Sequence, residues 1–207
     1  MITRPSNWNE IKEPTERQKL NIDAAVCRII KAAVQNNGYG DQLCIVYDIA
    51  EGEHSGYYKD EFDQNTFANK KWKGVLRLWL PKNDGTEKDE WSKRTLKGFT
   101  TSIEKSNPGY VWNWDENSLK NKLIGILYRN EEWEYEGKTG WAKRPFRAIS
   151  IDSVREGNFD IPKEKPLQSK STGGYGDYST GSYGSYGSYS EPTNYAELED
   201  DDSELPF

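Results

Sequence analysis

"NKKWKGVLRLWLP", residues 69–81, decides how the rest of this chain is read. Leu76, Leu78 and Leu80 alternate with Val75, Arg77 and Trp79, the period-two pattern of a strand buried on one face. The leucine face belongs to a core. The opposite face then carries Lys71, Lys73, Arg77 and Trp79, with cations and an indole interleaved. Working outward, "QLCIVYDIA" (42–50) sets Leu43, Ile45, Tyr47 and Ile49 against Cys44, Val46 and Asp48. "KLIGILYRNEEWEYEG" (122–137) and "TGWAKRPFRAISID" (139–152) are long β runs joined at "EGKTG" (136–140), a short Gly-containing hairpin signal. "SGYYKDEF" (55–62) reads as one more strand, set off by "EGEHSG".

Helix is minor. "TEKDEWSKRTLKGFTTSIEKS" (86–106) places Trp91, Leu96, Phe99 and Ile103 on one stripe, with acids at its start and "NPG" after it. A short helical turn follows Asp115. "NIDAAVCRIIKAAVQNNGYG" (21–40) is open: Ala and Ile at helical spacing favour a helix, while "VCRIIKAAV" before "NNGYG" equally suits a first strand paired to 42–50. About five strands with one helix before the final hairpin predict a mainly β fold. An OB-fold-like barrel fits, because closure removes exposed edges; another barrel or a sandwich fits the same count.

The charge is uneven. The chain holds 28 Lys+Arg and 34 Asp+Glu for a net of -6, yet residues 166–207 contain one lysine and eight acids. A near-neutral body thus carries an acidic segment. The change falls at "DIPKEKPLQSK" (160–170), and beyond it "STGGYGDYSTGSYGSYGSYSEPTNYAE" is almost entirely Gly, Ser and Tyr. All eight tryptophans precede residue 142, and no Val, Ile or Trp follows 166. Such a segment buries too little apolar surface to offset its ordering entropy, which predicts disorder. As a coil, roughly 40 residues span about 35 Å r.m.s.. The expected parts are an N-terminal arm (1–23), an OB-like domain (24–160), a Gly/Ser/Tyr linker (161–197) and an acidic tip (198–207).

Neither an apolar leader nor a run of membrane-spanning length is visible, so a soluble, cytoplasmic protein with no membrane attachment is expected. Cys27, Cys44 and His54 cannot complete a zinc site, and the cysteines lie in apolar runs that predict buried free thiols. No GxSxG, CxxC, phosphate-cradling Gly loop or HExxH occurs. Acid groups at Asp60/Glu61/Asp63 and Glu131/Glu132/Glu134 suit Mg²⁺ in principle, but a solvated face explains them more simply. No enzyme, cofactor or metal is expected.

Aromatic planes beside cations suit single-stranded nucleic acid: phosphates meet the cations, and bases stack at about 1–3 kcal/mol each. Three clusters fit. The first is Lys71, Lys73, Arg77 and Trp79. The second, on the final hairpin, is Trp133, Tyr135, Lys138, Trp141, Lys143, Arg144, Phe146 and Arg147. The third is Tyr57, Tyr58, Lys59 and Phe62.

The chain closes on Asp200-Asp201-Asp202-Ser203-Glu204-Leu205-Pro206-Phe207. Acids, one aliphatic residue and a terminal Pro-Phe resemble the end of bacterial single-stranded DNA-binding proteins, which finish on Asp-Asp-Asp-Ile-Pro-Phe or close variants. Ser203-Glu204 and Leu205 depart from that pattern. "YGDQLCIVYDIAEGEHSGYYKDEF" (39–62) is similar to a phage-encoded family of low-GC Gram-positive bacteria found among replication and recombination genes. The resemblance implies that residues 24–34 are the first barrel strand. It further implies a protein that coats single-stranded DNA during replication, recombination and repair, with Asp200, Asp201, Asp202, Glu204, Leu205, Pro206 and Phe207 docking on partner enzymes. Phe207 would fill an apolar pocket while its α-carboxylate meets a cation. The resemblance leaves homo-oligomerisation open. Rival expectations are a strand-annealing or recombination-mediator protein, a carbohydrate- or peptide-binding β domain, and a metal-dependent nuclease.

Overall fold

A computed structural model describes residues 19–167, together with Thr3, Arg4, Ser6 and Asn9. The linker beyond Leu167 and the acidic tip, with Asp200 through Phe207, lie outside the described residues. The described chain is mainly β. Its strands are β1 (Ala24–Asn36), β2 (Asp41–Ile49), β3 (Val75–Trp79), β4 (Leu123–Tyr135) and β5 (Lys138–Ile149). Its helices are α1 (Tyr57–Gln64), α2 (Glu87–Ser106) and α3 (Ile151–Glu156), with a 3-10 turn at Glu116–Leu119. Among the described residues no helix is long and apolar enough to cross a membrane.

The strands form one antiparallel sheet in the order β3-β2-β1-β4-β5. Strand β1 is shared: its first half pairs with β4, from Ala24 opposite Leu127 to Arg28 opposite Leu123, while its length from Cys27 onward pairs with β2. A register shift between Ile29 and Lys31 lets one strand serve both partners, since a bulge adds local twist. The segment whose periodicity left helix and strand open is therefore a strand. Alternation with its neighbours wins over the helical propensity of its alanines. No ladder joins β3 to β5 among the described residues, so the sheet is open and barrel closure is not shown.

The core faces expected for β2 and β3 are the observed ones, and β4 adds a third. Leu43, Ile45, Tyr47 and Ile49 of β2, Leu76 and Leu78 of β3, and Ile124, Ile126 and Tyr128 of β4 are buried beneath α2 residues Leu96, Phe99 and Ile103. Each such aliphatic side chain contributes about 1.5–3 kcal/mol by leaving water. Leu20 and Ile22, from the expected arm, also pack on this core. Helix α2 starts with acids in the first turn, as its sequence predicts, and Thr86 caps it by accepting the Asp89 N–H at 3.2 Å. Cys27 and Cys44 are buried and free.

One element differs. Residues 57–64, expected as a strand, form helix α1. Its first N–H groups are satisfied from a distance: the Asp48 carboxylate, on β2, accepts from Tyr58 at 3.0 Å and Lys59 at 3.2 Å. Tyr58 and Phe62, four residues apart, then share the face turned to the core, where Phe62 meets Trp72 at 5.7 Å.

After α3 the chain returns to β4. Lys165 donates its N–H to the Asn130 carbonyl and accepts from Glu132, both at 2.9 Å, a parallel bridge on the edge that β1 leaves uncovered. Residues 161–167, assigned to the linker by composition, thus run beside the sheet.

Candidate nucleic-acid interface

The sheet has two faces, and the site question is what the non-core face carries. Cross-strand partners point the same way, so register sorts the residues. On β3, Val75, Arg77 and Trp79 oppose Val46, Cys44 and Gln42 of β2, which in turn oppose Lys31, Ala33 and Gln35 of β1. Three rows result: Lys31–Val46–Val75, Ala33–Cys44–Arg77 and Gln35–Gln42–Trp79. Arg77 is exposed and Trp79 half-buried. Among the described residues neither Arg77 nor Lys31 has an ion-pair partner. The Gln35 side-chain oxygen accepts from the Cys44 thiol at 3.1 Å, which anchors one amide of this polar strip.

This face is not bare along its whole length. At the β1–β4 end α3 covers it: a Cβ on Gly125 would stand 2.7 Å from Val154 Cγ2 and 2.9 Å from the Ile149 and Ser150 carbonyls. The open part is the β1–β2–β3 end. It runs to the β1–β2 turn at Asn37–Gly40, where Tyr39 is 66 % exposed and its carbonyl accepts from Lys82 Nζ at 2.7 Å.

Lys71 and Lys73 precede β3 and are exposed. The Lys73 ammonium is bonded to Glu61 of α1, so its charge is already matched. The third expected cluster sits on α1 and has structural work. Tyr58 is core, Tyr57 packs edge-on against Tyr58 and His54, and Lys59 pairs with Asp63 at 2.6 Å. The His54 Nδ1 is buried with no hydrogen-bond partner among the described residues.

The hairpin cluster is divided between two faces. Tyr135 opposite Lys138, Trp133 opposite Gly140, Glu131 opposite Ala142 and Arg129 opposite Arg144 share one side. Trp141 opposite Glu132 and Lys143 opposite Asn130 share the other. Trp133 and Trp141 therefore lie on opposite faces of the hairpin. Lys143 is 11 % exposed and donates to Asp23 Oδ1 at 2.6 Å, so it fastens the chain entering β1 rather than facing solvent. Trp133 lies on Gly140, where a Cβ would come 2.7 Å from Cζ2; the indole takes the place of the missing side chain.

At the base of the first hairpin face, a register shift between Leu127 and Tyr128 leaves Phe146 unpaired. The Arg129 guanidinium stands 4.5 Å from the Phe146 ring centre and that of Arg147 6.0 Å away, with Arg144 exposed beside them. Among the described residues Arg144 and Arg147 carry no ion pair, whereas Arg129 is bonded to Glu131. Sequence reading named Phe146, Arg144 and Arg147 but missed Arg129, Lys31, Gln35, Gln42, Tyr39 and Lys82. Only the cross-strand register and the turn bring those beside the predicted residues.

Three of the six acids weighed for metal form ion pairs: Glu61 with Lys73, Asp63 with Lys59, and Glu131 with Arg129. Among the described residues no group of three or more His, Cys, Asp or Glu is placed to hold a metal ion. Neither a protein-family model nor a curated protein matches this chain.

Proposed function

We propose that this chain coats single-stranded DNA without catalysing a reaction, acting in replication and recombination as phage-type single-stranded DNA-binding proteins do, and that its acidic C-terminal tip recruits partner enzymes. The carrying observation is the row Arg77–Trp79 with Lys31 and Gln35 beside it: exposed cations without ion pairs among the described residues, a half-buried indole and an exposed side-chain amide on one end of one sheet face. A polyanion that is aromatic at every unit matches such a surface, and neither the cations nor the ring depends on base identity. The hairpin face with Trp133, Lys138, Arg144 and Arg147 supplies a second length of the same chemistry.

The connectivity supports an OB-like barrel. A three-strand meander β1-β2-β3 with β1 shared between β2 and β4, a β4–β5 hairpin, and a helix between the third and fourth strands is the order such a barrel uses. Parts of β3 and β5 come within 8 Å between Cα atoms, the place where closure would occur.

The test is titration of intrinsic tryptophan fluorescence with oligo-dT. The expected outcome is quenching that weakens with salt. Trp79→Ala weakens binding by about 1–3 kcal/mol, and Arg77→Ala flattens the log–log salt slope by about 0.7. Binding that ignores salt, or that is unchanged in both variants, sinks the proposal.

A further inference from the structure

At the rim of the proposed face, an open cleft of about 460 Å³ lies between the β1–β2 turn and the residues that follow β3. Its volume is in the range of small-ligand sites. Asn36, Tyr39, Gly40, Asp41, Pro81 and Lys82 line it. The turn is held tightly. The Asn36 side-chain oxygen accepts from Gly38 N–H at 2.9 Å, its amide donates to Asp41 Oδ1 at 2.6 Å, and the Asp41 carbonyl accepts from Leu80 N–H at 2.9 Å. Trp79 abuts the same turn, since a Cβ on Gly40 would be 3.5 Å from its Cζ3.

The lining is unlike a surface built only for phosphate. Lys82 spends one N–H on the Tyr39 carbonyl and keeps two donors. Beside it stands a carboxylate. Among the described residues Asp41 has one oxygen occupied by Asn36, and no donor reaches the other. An ionised carboxyl repels phosphate and can only accept hydrogen bonds, so next to a nucleic-acid strand its favourable partner is an N–H donor on a base edge. Cytosine, adenine and guanine offer an exocyclic amino group, whereas the one N–H of thymine, at N3, lies between two carbonyl oxygens that repel a carboxylate.

Resting on the single-stranded DNA reading above, we infer that this cleft takes one nucleobase and that Asp41 makes it prefer an amino-bearing base. Tyr39, exposed at the cleft wall, provides the stacking plane, and Lys82 meets the neighbouring phosphate. The protein then coats any strand but seats it with a base preference at one position per molecule.

The experiment compares oligo-dC and oligo-dT of equal length at one salt concentration, for the full chain and for Asp41→Asn. The ratio of the two affinities cancels differences in free-strand stacking when compared between proteins. The expected result is that the dC-to-dT affinity ratio falls about fivefold or more on Asp41→Asn. Asn36→Ala, which disturbs the same turn but leaves the carboxylate, keeps the ratio. An unchanged ratio in Asp41→Asn, or an equal fall in Asn36→Ala, overturns the base preference while DNA coating stands. Failure of both oligonucleotides to bind the full chain overturns the coating proposal itself.

Discussion

The Tyr128 hydroxyl lies in the core and is reached by two other buried phenols, Tyr47 at 3.3 Å and Tyr58 at 3.4 Å, with the Cys27 thiol 4.0 Å away. Burial pushes Tyr58 up to about 12 and raises Tyr47, Tyr128 and the Cys27 thiol further in the same direction. In an unfolded chain a tyrosine titrates near 10. The folded state therefore holds these protons more tightly. Its advantage is complete below about pH 10 and is lost as pH rises through the folded values. Tyrosinate absorbance followed with pH should show these three groups ionising only together with unfolding. Their titration in step with the exposed tyrosines, with the fold intact, would contradict the buried cluster. Tyr128→Phe leaves two buried hydroxyls without their shared partner and is expected to cost about 1–3 kcal/mol in denaturant unfolding.

At the scale of elements, α1 shows why local pattern is not enough. "YYKDEFDQ" carries two adjacent tyrosines that favour strand, and no capping residue stands directly before it: Gly56 holds the left-handed turn at φ 79° without a side chain. Its cap comes from Asp48, ten positions before Tyr58, and that pairing exists only once β2 is laid down. Burial raises the Asp48 carboxyl above the usual carboxylate range even though three N–H groups favour its ionised form. Asp48→Ala is expected to lower stability by about 0.5–2 kcal/mol, the range for lost helix caps. Asp48→Asn is expected to lose less, because it keeps one acceptor and removes the buried charge. Denaturant midpoints for the pair check this; equal losses would show that the charge itself carries the interaction. The β4–β5 hairpin is the opposite case. Its two-residue turn, Glu136 at φ 49° and Gly137 at φ 75°, lies where the Gly-containing signal placed it.

For the whole molecule, the point at which the body ends matters. Composition sets it near residue 160, but Lys165 pairs with β4, Asn130 donates to Glu164 at 2.8 Å and the Leu167 N–H reaches Glu132 at 3.0 Å. A chain cut after Leu167 keeps these bonds and loses the seven net negative charges that follow Lys165. It should unfold at the unchanged midpoint and bind oligo-dT more tightly, most clearly at low salt, since a polyanionic segment competes for the same cations. A cut after Asp160 should in addition lower stability by about 1–2 kcal/mol through two lost backbone hydrogen bonds. Equal stability of the two truncated chains would mean that the returning segment contributes nothing to the body.

What this sequence determined alone was everything that depends on neighbours in the chain. Alternation assigned the core faces of β2 and β3, the apolar stripe, acidic first turn and following Asn-Pro-Gly placed α2, and the Asn37–Gly40 and Glu136–Gly137 stretches placed two turns. Tertiary structure decided what depends on residues far apart. Register put Gln42 and Gln35 beside Trp79, separated Trp133 from Trp141, and turned Lys143 inward to Asp23. It also made β1 a strand and α1 a helix. The physical reason is common to these cases: a side chain's face follows from local backbone period, but its partner follows from strand pairing and remote hydrogen bonds, whose free energy is realised only when distant segments meet.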